Sequence, residues 1–146
     1  MNYLLDTNVL LRSVQPTHPA HNVAVNAIQM LLGQSATLYM TSQNLIEFWA
    51  VATRPVAANG LGWTVAETMQ EIAELKNFFT LQPDTPVVFA EWEKLVAQYQ
   101  VMGKQVHDAR LVAVMKTYQI PFLLTFNIAD FKRFTEIIAI APSSVS

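Results

Sequence analysis

The chain contains no cysteine in its 146 residues. That excludes disulfides and any zinc–thiolate centre, and it fits a reducing, cytoplasmic setting. Charge is also scarce: 14% of residues are charged and the formal net charge is −2. There is therefore no global attraction to nucleic acid or to an anionic membrane, and a nucleic-acid ligand needs a local basic patch or a metal ion to hold it. No apolar run reaches the roughly 18 residues that span a bilayer, so no membrane association is expected. A basic region, apolar stretch and cleavage site are missing from the N-terminus. The opening apolar segment is cut by Asp6 and reads as structure, not as a secretion signal. Repeats, low-complexity tracts and charge blocks are absent too, so the expectation is one domain over residues 1–146. What is abundant is apolar surface, at 52% of residues, which excludes disorder and supplies a core.

The apolar pattern alternates between short β-rich runs and longer stretches of helical period. Strands are predicted over 2–5, 37–40, 78–82 and 121–125, with a short fifth over 136–140. Between them, Thr7-Asn8 caps a helix to Val14 that Pro16 stops, and Pro19 precedes a helix over 20–32. Thr41 or Ser42 caps a helix to Thr53, and Arg54-Pro55 ends it before the loop VAANGLGW. Thr64 and Glu67 match a capping box for a helix to Asn77. Thr85-Pro86 opens a helix to Val101 with Gly103 after its end, and a last helix covers 107–118. Strands apolar on both faces and separated by helices indicate an α/β sandwich with a mostly parallel sheet covered on both sides. In such sheets ligands bind beyond the carboxyl ends of the strands, where strand order reverses. Asp6 lies at one such end and Thr125-Phe126-Asn127 at another.

Three acids sit in apolar company. Asp6 follows Tyr3-Leu4-Leu5; Glu47 interrupts Leu45-Ile46 and Phe48-Trp49; Asp108 shares a helical face with Leu111, Val112 and Met115. A carboxylate aimed at a core is costly without compensation. Each has an ordinary explanation: Asp6 and Asp108 as helix caps, Glu47 as a solvated or salt-bridged edge shared with Asn44, Ala50, Val51 and Arg54. One functional site explains all three together. Clustered carboxylates raise one another's pKa, and a hard cation such as Mg²⁺ or Mn²⁺ relieves this with oxygen ligands. No group of histidines and cysteines suggests zinc; His107 stands beside Asp108, while His18 and His21 belong to another segment.

LLDTNVLL, TSQNLIEFWAVATRP, HDARLVAVM and LLTFNIADFKRF, in this order and spacing, resemble PIN-domain ribonucleases, and more narrowly the VapC-type toxins of prokaryotic toxin–antitoxin pairs. The resemblance runs from residue 4 to residue 134, and ATRPVAANGLGW is similar to a loop of one subgroup. It implies a PIN-like three-layer α/β/α sandwich around a mostly parallel sheet of four to five strands. It places Asp6, Glu47 and Asp108 at the family's principal metal-binding acids. The fourth position falls on Asn127, just past the fourth strand where some members carry Asp, or on Asp130; both are kept as candidate catalytic and metal-binding residues. Thr7, Asn8 and Thr125 are candidates to orient the carboxylates. Phe48, Trp49, Phe122 and Phe126 read as core.

The resemblance implies an endoribonuclease that uses Mg²⁺ or Mn²⁺ to activate water and leaves a 3′-hydroxyl and a 5′-phosphate. It also implies RNA as substrate, a cognate antitoxin and a homodimer. Arg12, Arg54, Lys104, Arg110, Lys132 and Arg133 flank the motifs as possible phosphate contacts, and VAANGLGW with the helix over 64–77 as a specificity surface. Two other classes compete. A non-catalytic PIN-like module binding RNA or protein rests on the neutral Asn127. Aspartyl-phosphoryl transfer lacks the second Asp two residues after Asp6, where Asn8 stands.

Overall fold

In the computed structural model, which describes residues 1–146, the strands are short and pair in parallel throughout. They are β1 (Asn2–Leu5), β2 (Thr37–Thr41), β3 (Thr80–Gln82), β4 (Phe122–Leu124) and β5 (Ile138–Ile140), in the order β3-β2-β1-β4-β5. Side chains alternate across the pleat. Leu4 and Leu123 enter one core; Tyr3, Leu5, Leu38, Met40 and Leu124 enter the other. Because both faces are apolar, both must be covered. Helices α1 (Thr7–Ser13), α2 (His21–Gly33), α3 (Ser42–Thr53) and α4 (Val65–Phe78) cover the Leu5 face. Helices α5 (Pro86–Gln98), α6 (Val106–Tyr118) and α7 (Ile128–Phe131) cover the Leu4 face. The expected three-layer α/β/α sandwich is therefore present, with a sheet that is wholly parallel. Phe48 lies fully inside the first core, and Phe122 stacks on Tyr3 with ring centroids 5.0 Å apart. No helix is long and apolar enough to cross a membrane.

The chain builds outward from β1 through β2 to β3, then returns to lay β4 on the other side of β1. The switch in direction falls between β1 and β4, so their carboxyl ends border the crevice.

Local signals set most boundaries, and the departures have physical causes. Thr64 and Glu67 form their capping box at 3.1 and 3.2 Å, and Pro86 opens α5. Phe78-Phe79 reads as strand by composition, but α4 runs through Phe78, which is 71% exposed, and only Phe79 turns into the core. β3 consequently begins at Thr80, and β5 begins at Ile138, not 136. Helix α5 stops at Gln98, short of Val101; Gln100 takes up a left-handed backbone just past its end (φ 53°), and Gly103 a second one further on (φ 61°). The cap of α1 is Asp6 itself, in place of Thr7 or Asn8.

The loop after α3 folds back on that helix. Leu61, Gly62 and Trp63 donate backbone hydrogen bonds to Val51, Arg54 and Ala52, and the Trp63 ring meets Phe48 edge-on. A Cβ at Gly60 would lie 2.0 Å from the Arg54 carbonyl oxygen, whereas one at Gly33 would meet nothing within 4 Å. In urea titrations Gly60→Ala is therefore expected to lower the unfolding free energy by at least about 1 kcal/mol, while Gly33→Ala raises it by roughly 0.5–1 kcal/mol.

Candidate active site

Asp6 is where β1 becomes α1. Its backbone N–H donates to Leu124 O at 2.9 Å, extending the β1–β4 ladder by one rung. Its side chain then does two things. Oδ1 accepts from the Thr7 N–H at 2.8 Å, capping α1, and Oδ2 accepts from Thr125 Oγ1 at 2.7 Å. Thr125 is fully buried just past β4, and its Oγ1 in turn accepts from the Asn127 N–H at 2.9 Å. Capping and site membership are thus the same geometry, not alternatives.

Glu47 reaches the same rim from α3. Its Oε1 accepts from Thr7 Oγ1 at 2.8 Å, and that hydroxyl accepts from Asn44 Nδ2 at 3.0 Å. Asn44 is wholly buried and is also the third residue of the α3 capping box. Its Oδ1 accepts from Thr41 N and Oγ1 at 2.8 and 2.9 Å, and its own N–H donates to Thr41 Oγ1 at 3.0 Å. A cap and a site contact are therefore built from one side chain. Asp108 is half-buried in the first turn of α6 and makes no cap hydrogen bond, while Leu111, Val112 and Met115 below it are buried.

One cleft is lined by Asp6, Glu47, Asp108 and Asn127 with Thr7, Asn8, Arg54 and Lys104. The adjoining cleft is lined by Glu47, Asp108 and Asp130 with Lys104 and His107. All five sequence-predicted residues thus border these two clefts, which share Glu47, Lys104 and Asp108, with Asp6 and Asn127 lining the first and Asp130 the second. Asp130 is the third residue of α7 and does not cap it; Asn127 holds the cap position without a side-chain cap bond. Asn8 does not orient a carboxylate: its Oδ1 accepts from the Phe126 N–H at 3.4 Å.

Of the flanking cations, Lys104 borders both clefts and Arg54 one. Arg12 is bound to Gln15, and Arg110 to Asp84 and Gln43. Sequence reasoning missed the contribution of Asn44 and Gln43. A T-x-x-N spacing ahead of an apolar helix was the available signal for Asn44. Nothing local marked Gln43, whose two shorter bonds go to residues 64 and 67 positions away.

Burial pushes the Asp6 carboxyl up to about 6, against the lowering effect of its bonds from Thr125 and Thr7, with Glu47 and Asp130 adding to the rise. Asp108 is likewise raised to about 6, by burial first and then by Asp6, Asp130 and Glu47. The donors are all hard oxygens carrying excess negative charge, which suits a small divalent cation. No three acidic or histidine side chains close on one point as a ready-made cage. Mg²⁺ does not demand one, since it is commonly held by one or two carboxylates and keeps several waters.

The electrostatics have a pH consequence. Between the ordinary value of 3.8 and about 6, the folded metal-free chain holds protons that the unfolded chain has released. Its stability therefore falls as pH rises through that window. Asp108→Asn removes one repelling charge and is expected to raise the melting temperature of the metal-free chain near pH 7.5. After discounting for solvent exposure the gain is about 1 kcal/mol, or roughly 2–4 °C, and melting curves should show it shrinking toward pH 4.

The sequence matches the PIN domain family over residues 3–137. Comparison with curated proteins found no match. Among solved structures, the fold is similar to VapBC2 from Rickettsia felis, solved bound to a DNA fragment from its promoter (TM-score 0.72, 16% identity, 97% of this chain and 98% of that one). It is also similar to VapBC-1 from nontypeable Haemophilus influenzae (0.71, 17%, 99% and 100%). A third is VapC20 from Mycobacterium tuberculosis, a Sarcin-Ricin loop cleaving toxin (0.65, 16%, 90% and 95%). At these identities the likeness is one of fold. The family match, by contrast, is one of sequence, and it spans Asp6, Glu47, Asp108, Asn127 and Asp130: the chain belongs to the PIN domain family.

Proposed function

We propose that this chain is a divalent-metal-dependent endoribonuclease, acting in the cytoplasm as the toxin of a toxin–antitoxin pair. The observation that carries the reading is the convergence of Asp6, Glu47, Asp108 and Asp130 on one rim, with Asp6 and Asp108 resisting ionisation in the absence of a cation. PIN-family membership and the fold shared with VapBC proteins support it.

Asp6, Glu47 and Asp108 would hold Mg²⁺ or Mn²⁺, with Asp130 supplying a fourth negative charge and Asn127 a neutral oxygen. The chemistry such an ion supplies is activation of water for in-line attack on phosphorus and neutralisation of phosphate charge. Thr7 and Thr125 keep the Glu47 and Asp6 oxygens aimed, each by one short hydrogen bond. Lys104 and Arg54 border the cleft and can contact backbone phosphates, offsetting the repulsion between RNA and the acids. A second copy and a small antitoxin that sets a basic group among the carboxylates complete the partners.

Incubation of the purified chain with mixed RNA tests this. Cleavage is expected with Mg²⁺ or Mn²⁺ and none with chelator. Asp6→Asn and Asp108→Asn should each reduce the rate by at least about 100-fold, and Asp130→Asn should cost more than Asn127→Ala. Absence of cleavage together with absence of metal binding by calorimetry would replace the nuclease with the binding module. A stable acyl-phosphate on Asp6 would point to phosphoryl transfer. Light scattering on the chain alone should give the mass of a dimer.

A further inference from the structure

Glu47 and Asp108 belong to helices on opposite faces of the sheet, α3 over the Leu5 face and α6 over the Leu4 face. Each helix is fixed by its own core to its own face of the sheet, and the two meet beyond the sheet's carboxyl edge. Direct hydrogen bonds between α3 and α6 all run through one side chain, Gln43, which is only 8% exposed. Its Nε2 donates to the His107 carbonyl at 2.8 Å and, more weakly, to Glu47 Oε2 at 3.4 Å. Its Oε1 accepts from Arg110 Nη1 at 3.1 Å. Those partners fix which end of the amide faces which way: a carbonyl and a carboxylate call for the NH₂, a guanidinium for the oxygen. Arg110 is held in turn. Its Nη2 bonds Asp84 Oδ1 at 2.9 Å, and Asp84 Oδ2 accepts from Ser42 Oγ, one residue before Gln43. Ser42, Asp84, Arg110 and Gln43 therefore form a closed clasp over the carboxyl edge of the sheet.

We propose that Gln43, locked by Arg110 and Asp84, is a positioning residue that holds Glu47 and Asp108 at the separation needed to share a cation. The proposal rests on the metal-dependent nuclease reading above. On this proposal Arg110 acts as a support and not as a phosphate contact. Its two bonds go to Gln43 and Asp84, and its effect on the reaction passes through the carboxylates.

The test uses the full chain and the variants Gln43→Leu, Arg110→Leu and Asp84→Asn, with the double variant Gln43→Leu/Arg110→Leu. Mn²⁺ affinity is measured by calorimetry without RNA, and kcat and KM are measured on a cleavable RNA. Gln43→Leu and Arg110→Leu should each weaken Mn²⁺ binding by about 10-fold and lower kcat by about 10–100-fold, with KM for RNA little changed. The double variant should be no worse than either single one, because both remove the same clasp. Asp84 is exposed, so Asp84→Asn keeps the fold intact and should show a smaller loss of the same kind. Wild-type Mn²⁺ affinity in Asp84→Asn and in a folded Gln43→Leu overturns the proposal. So does a raised KM with retained kcat in Arg110→Leu, which would make Arg110 an RNA contact. Failure of the wild-type chain to cleave RNA would instead overturn the nuclease reading, and the Mn²⁺ affinities would still decide whether the clasp positions the acids.

Discussion

The hydrogen bond from Thr125 to Asp6 joins residues 119 apart in sequence, and the site depends on it. It lies at the switch point of the sheet, where β1 and β4 run side by side and their chains leave for opposite faces. Both partners are buried, so this bond holds the carboxylate where desolvation penalises its charge. The Asp6 carboxyl is consequently kept well above its ordinary pKa even though two donors favour the ionised form. Burial wins that contest, so the carboxyl holds its proton to a higher pH than a free aspartate does.

From that anchor the network spreads in two directions. Toward α3 it passes through Thr7 and Asn44 to Glu47, using a helix cap as the support for a candidate site carboxylate. Toward α6 it passes through Gln43 and Arg110. The two routes differ in kind. The first consists of buried neutral donors and acceptors whose loss would leave orphaned polar atoms in the core. The second includes a partly exposed ion pair between Arg110 and Asp84, where hydrogen bonds from Ser42 and Arg110 outweigh burial and hold the Asp84 carboxyl low.

Lys104 gives the acidic rim its one cation common to both clefts, standing on the short turn just before α6. With a net charge of −2 the molecule has no long-range pull on a polyanion, so under the proposed function affinity for RNA would rest on such local groups and on the cation. The apolar core supplies none of this; it supplies the rigid parallel sheet that keeps the strand ends in register.

The sequence by itself determined the alternation of strand and helix, the two-sided burial of the sheet and the three acids that interrupt apolar runs. Those features are local: propensity, capping chemistry and hydrophobic period operate over a few residues. The extent of β3 and the end of α5 were decided by how Phe79 and Gln100 settle against the packed chain, which no window of composition contains. The site divides along the same line. Asp6, Glu47 and Asp108 were visible because burying a carboxylate breaks a local rule. Gln43, a polar residue in an ordinary helical turn, breaks none, and its work begins only when residues 64 and 67 positions away fold onto it. Only tertiary structure brings α3 and α6 over one sheet edge, because hydrogen bonds between distant segments have no signature in either segment alone.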